Sequence, residues 1–133
     1  MDENSRLILL AWVGKAEEDY EVATRLAAGE EPVPIGGICL HAQQCVEKYL
    51  KAMLIKAGVD FPKTHDIGII QSLLPADLRV DIAVEDQRRL TAYATSRRYP
   101  GLYAPLTLSE AGSALEIARI VRESARAHLE IQE

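Results

Sequence analysis

Three separate segments carry side chains suited to holding a phosphate: Lys48 and Lys51, the pair His65-Asp66, and Arg97-Arg98. An arginine offers phosphate oxygens a planar fork of donors, and a lysine offers a point charge. Gathered in one place, the three segments would make a pocket for a phosphate or a nucleotide. Tyr99 and Tyr103, on either side of Pro100, could stack on a base. Taken singly, each charge fits a solvated surface better than a site, and each tyrosine fits packing over the bundle better than stacking. His65 can serve as a general acid or base, yet a histidine followed by aspartate at a helix start also reads as a capping arrangement. His41 reads as a helix-surface histidine with a structural hydrogen bond.

The stretch that must position these groups is residues 41–51, His-Ala-Gln-Gln-Cys-Val-Glu-Lys-Tyr-Leu-Lys. At 3.6 residues per turn, Ala42, Cys45, Val46, Tyr49 and Leu50 share one side, extended by Ile38 and Met53. His41, Gln44, Glu47, Lys48 and Lys51 share the other. The pattern predicts an amphipathic helix with one buried face, running from about Ile35 to Ala57 and ended by Gly58 as a C′ glycine.

A helix before it is expected to start at Asn4 or Ser5 as cap. Its core stripe is Leu9, Trp12, Val13, Ala16, Tyr20, Ala23 and Ala27. Asp19 lies close to that seam; it reads equally as an exposed edge residue or as a buried acid that needs a partner. After it, Thr64 can cap a short helix that Pro75 closes. Residues 76–83 read as a turn. A fourth helix spans about Val84 to Ser96, broken before Pro100. A last helix starts near Thr107 or Ser109 and carries Ala111, Ala114, Leu115, Ala118, Val121, Ala125 and Leu129 as its stripe. Three long and two short helices with no alternating strand pattern predict an all-α bundle.

Composition narrows the function. The 133 residues suit one domain spanning 1–133. A net charge of −5 and a pI near 5.2 exclude coating nucleic acid by global charge, so any such binding needs a local cluster. No apolar run approaches the ~20 residues of a membrane span. Residues 7–13 read as the start of a buried helix in a cytoplasmic protein. Cys39 and Cys45, six apart, cannot bridge on one helix and read as core residues. Arg122 and His128, also six apart, do not face each other on a helix. No motif implies a metal or cofactor.

Four segments together resemble the HEPN domain (higher eukaryotes and prokaryotes nucleotide-binding), of the prokaryotic stand-alone type. They are Trp12-x3-Ala16-x2-Asp19-x3-Ala23, His41-Ala42-Gln43-Gln44-x2-Glu47-Lys48-x2-Lys51-Ala52, Lys63-Thr64-His65-Asp66 and Arg98-Tyr99-Pro100. The resemblance implies a five-helix, up-and-down antiparallel bundle that pairs as a homodimer. It also implies a small nucleotidyltransferase partner of the minimal type, commonly in toxin–antitoxin modules, and a nucleotide or RNA ligand.

Many members of that family are ribonucleases with an arginine followed four to six residues later by a histidine. Here the window after Arg97 and Arg98 holds Leu102, Tyr103, Ala104 and Pro105, with no histidine. The expected function is therefore a nucleotide- or RNA-binding subunit with no robust cleavage of its own, its site at Lys48, Lys51, His65, Arg97, Arg98 and Tyr99. The alternative is a metal-independent RNase toxin centred on Arg98, with Tyr103 and His65.

Overall fold

A computed structural model of the chain describes residues 1–101 and 103–131, and of residue 98 the main chain only. It is all-helical among these residues, with α1 (Glu3–Ala27), α2 (Ile35–Ala57), α3 (Ile67–Leu73), α4 (Val84–Ala94) and α5 (Leu108–His128). The bundle runs up and down. Leu26 near the end of α1 meets Gly37 near the start of α2, whereas Glu17 meets Tyr49 further along. Tyr49 in turn meets Arg126 late on α5. A Cβ at Gly37 would lie 3.1 Å from the Leu26 side chain, so glycine lets the two helices approach there.

Helix α2 is the centre. It packs against α1, α5, α4 and α3, so it is covered on more than one side. Ile38, Cys39, Ala42, Cys45, Val46, Tyr49, Leu50, Met53 and Leu54 are all buried on it. Losing one such side chain, as in Leu50→Ala, costs about 2–5 kcal/mol. The expected division into one buried and one solvated face does not hold. Gln43, Glu47 and Lys51 are buried as well. With neighbours around most of the helix, its polar side becomes a second, polar interior. Gly58 ends α2 in the left-handed region, φ 72°, as expected.

Other boundaries differ from expectation by small steps. Asp2 caps α1, accepting from the Ser5 N–H at 2.7 Å. Asn4 and Ser5 therefore lie in the first turn. Of residues 7–13 only Leu9 and Val13 are buried; Leu7, Ile8 and Leu10 are exposed. Ala27 is exposed, and Trp12 and Tyr20 are half-buried, because α1 lies against α2 on one side of the bundle. Asp66 rather than Thr64 caps α3, accepting from the Ile69 N–H at 3.0 Å, while Thr64 accepts from the Asp66 N–H. Helix α4 stops at Ala94, and a 3-10 turn over Ser96–Arg98 leads into extended backbone at Tyr99 before Pro100. Thr107 caps α5. Among the described residues no helix is long and apolar enough to cross a membrane.

Candidate functional site: two tethered histidines on one cleft

The seam between α1 and α2 places Asp19 opposite His41 and Lys48, two turns apart on one side of α2. Asp19 is 8% exposed. His41 Nδ1 donates to Oδ1 at 2.8 Å, and Lys48 Nζ donates to Oδ2 at 2.6 Å. A carboxylate only accepts, so this contact places a proton on Nδ1 and leaves Nε2 uncommitted to Asp19. Burying an acid requires such partners.

Glu47 repeats the arrangement. It is 3% exposed. His65 Nδ1 donates to Oε1 at 2.8 Å, and Lys51 Nζ donates to Oε2 at 3.0 Å. Gln43 Nε2 also donates to Oε1, at 3.1 Å, and Gln43 accepts from Gln44 Nε2 at 2.6 Å. The Lys51 ammonium lies over the Trp12 and Phe61 rings, 5.3 and 5.9 Å from their centroids, a cation–π seat that suits a buried lysine. His65 thus does not cap α3. Its neighbour Asp66 does, and the His65 ring turns back to α2.

The two assemblies share a logic. Each buried carboxylate holds one lysine and one histidine through separate oxygens. The lysine balances the acid, so a proton on the histidine leaves the assembly with net positive charge. Both histidines line one cleft of about 230 Å³, with Asp19, Leu40, Gln44 and Ala94.

Arg97, Tyr99 and Tyr103 gather in an adjoining cleft of about 380 Å³ that includes Ile35 and Gly36 at the start of α2. Arg97 Nη2 donates to the Ala104 carbonyl at 2.7 Å, and its guanidinium lies 5.2 Å from the Tyr103 ring centroid. Gly36, Leu40 and Gln44 follow at four-residue steps on one face of α2. The two clefts are therefore neighbours along that face, roughly 8 Å apart at 1.5 Å per residue from Gly36 to His41. Ala94 lines one and Arg97, a turn later, lines the other.

Among the described side chains, the residues expected to form the site do not line one cleft. His65 stands at the histidine cleft, Arg97 and Tyr99 at its neighbour. Lys48 and Lys51 are bound to buried acids behind the cleft. The Arg98 side chain lies outside the described residues. A larger cleft of about 410 Å³ between α3 and α4 offers Arg88 as its cation and Asp66, already committed as a cap.

A sequence profile of the HEPN domain matches residues 9–128. The chain belongs to the HEPN domain family. Membership agrees with the all-helical five-helix architecture and gives this HEPN protein a nucleotide- or RNA-related role. No curated protein and no solved structure matches the chain.

A third assembly in this HEPN domain is structural. Glu17 on α1 accepts from Arg122 Nε and Nη2 at 2.7 and 2.8 Å, and from the Tyr49 hydroxyl. Partial burial pushes the Glu17 carboxyl up, but the Arg122 and Tyr49 hydrogen bonds outweigh it and hold it below its ordinary value. Burial, then the bond to Glu17, pushes the Tyr49 hydroxyl well up. Arg122 also lies over the Tyr20 ring at 4.9 Å. His128 is exposed at the end of α5. The Arg122–His128 pair is divided between these two settings.

Sequence reasoning missed Glu17, Gln43 and the pairing of His41 with His65. A usable signal was present for one link. Asp19 lies by the apolar seam of α1, where an acid, if buried, needs a partner.

Proposed function

We propose that this HEPN protein binds single-stranded RNA along the α2 face that carries the two clefts. Arg97 meets phosphate, the exposed Tyr99 and Tyr103 rings stack on bases, and His41, His65 and Gln44 receive the next phosphate. The observation that carries this reading is the adjacency of the Arg97–tyrosine cleft and the histidine cleft. It offers charge and aromatic surface in the alternation a strand presents. Lys48 and Lys51 serve from behind, neutralising Asp19 and Glu47 so that the front of the site is not anionic.

The reading extends to assembly. The exposed Leu7, Ile8 and Leu10 on α1 support a homodimer. The family resemblance supports a minimal nucleotidyltransferase partner in a toxin–antitoxin-like module, and a single domain over the whole chain. Fluorescence anisotropy with a labelled single-stranded RNA tests the binding. Arg97→Ala with Tyr99→Ala should weaken it at least tenfold with helicity unchanged, and affinity should fall as salt rises. Equal binding by the double variant removes this face from the site. Light scattering and co-purification with a co-expressed nucleotidyltransferase test the assembly.

A further inference from the structure

From the two carboxylate-tethered histidines on one cleft, we infer that this protein reads a phosphorylated strand end. The cleft of His41, His65 and Gln44 takes a terminal phosphate monoester in preference to an internal phosphodiester. The inference rests on the RNA-binding reading and names the chemical group that its second cleft selects.

The two kinds of phosphate differ in charge and in acceptors. An internal diester carries a single negative charge and two non-bridging oxygens. A terminal monoester carries about −1.5 to −2 at pH 7 and three such oxygens. The donors of the cleft match the monoester. His41 and His65 each commit Nδ1 to a buried acid, at 2.8 Å in both cases, so Nε2 is the nitrogen left to donate. Both rings keep access to solvent, at 34% and 57% side-chain exposure. Gln44 spends one amide N–H on Gln43 and keeps a second. Three side chains lining one cleft of about 230 Å³ thus hold a donor for each monoester oxygen.

The charges match as well. Lys48 balances Asp19, and Lys51 balances Glu47. A proton on each histidine therefore adds one net positive charge, and the two together answer a dianion. A diester leaves one of them uncompensated. Asp19 reaches the same cleft, yet both its oxygens are occupied, by His41 and Lys48. Asp66, next in the chain to His65, spends its carboxylate on the Ile69 N–H. Helix α4 contributes the uncharged Ala94. The final phosphate of the strand then lies beside Asp19, and its nucleotides extend towards Arg97, Tyr99 and Tyr103.

The test uses the full chain and 2′-O-methylated single strands of one mixed sequence, with fluorescein on an internal base, read by anisotropy. The strands end in hydroxyls, in a 5′ phosphate, in a 3′ phosphate, or in either phosphate capped as its methyl diester. One or both phosphorylated strands should bind at least about tenfold more tightly than the hydroxyl-ended strand, the gain of a further charge-assisted hydrogen bond. The methyl cap should remove that gain. Which end carries it fixes the polarity of the bound strand. His41→Ala and His65→Ala should each cut the preference to about threefold or less, and leave affinity for the hydroxyl-ended strand within about threefold of wild type. His41→Asn and His65→Asn, checked by circular dichroism, replace any alanine variant that fails to fold. Equal binding of phosphorylated and hydroxyl-ended strands overturns the inference and leaves the binding reading intact. A methyl-capped end that binds as well as the free phosphate overturns it too, as does a preference that survives in both histidine variants. A mononucleotide that competes as well as the phosphorylated strand overturns the assignment to strand ends. Failure of every strand to bind overturns both readings.

Discussion

Asp19 of α1 receives the His41 ring of α2 at 2.8 Å across 22 positions of sequence, deep enough that the acid is 8% exposed. This contact ties the packing of the first two helices to the orientation of a side chain at the candidate site. Stability and function should therefore move together when Asp19 is changed.

Asp19→Ala leaves Lys48 facing a buried void without its acid. Breaking a buried pair from one side costs about 3–5 kcal/mol. Lys48 keeps some access to water, at 21% side-chain exposure, so the loss should fall near the lower end, about 3 kcal/mol. Asp19→Ala with Lys48→Met removes the stranded charge and should regain at least half of that. Urea unfolding of wild type, both single variants and the double variant measures the coupling. A double variant as unstable as Asp19→Ala would show that the ion pair is not what Asp19 contributes.

Glu17 makes stability fall in acid. Its ordinary carboxyl value is 4.5, and in the fold it lies lower. A depressed acid contributes stability that is complete above its unfolded value and lost as pH falls through the folded one. Wild type should therefore weaken progressively as pH drops from 4.5 through that lower value. Glu17→Gln should be less stable at pH 7 and show a shallower decline below pH 4.5 than wild type. Thermal melts across that range give both slopes, and parallel slopes would exclude Glu17 as a contributor.

Neither cysteine should react in the native protein. Burial pushes the Cys39 thiol up to about 11, with Glu110 adding to it, and burial pushes Cys45 up further. At pH 8 the thiolate of Cys39 is then about one part in a thousand, before access is counted. A thiol reagent should label no site in native protein and two in guanidinium. Rapid labelling of either cysteine in the native state would contradict the buried α2 core.

Gly58 holds the end of α2 at φ 72°, with open space where a Cβ would stand. The obstacle to a side chain is therefore backbone conformation rather than crowding. Gly58→Ala should cost about 1–2 kcal/mol and Gly58→Asn less, since asparagine visits this region more readily. Chemical denaturation ranks the three. An unchanged midpoint in Gly58→Ala would mean that the helix end relaxes to another conformation.

The helices were legible in the chain because their signals are local. Gly58 needs only its own φ, and the apolar spacing of Ala111, Ala114, Ala118, Val121 and Ala125 needs only the helical repeat. The four motif segments carried the family for the same reason, since residue order and spacing survive without knowledge of contacts. The cap of α1 slipped to Asp2 because several neighbouring residues can cap, and the choice depends on where the first turn closes. The candidate site was legible only in part. Periodicity placed Glu47 and Lys51 on the polar side of α2, but whether that side meets water depends on how many helices surround it. Likewise, no spacing connects His41 with His65. They share a cleft because Asp19 arrives from α1 and Glu47 turns the connector's histidine inward, and such long-range pairing is set by packing of the whole bundle.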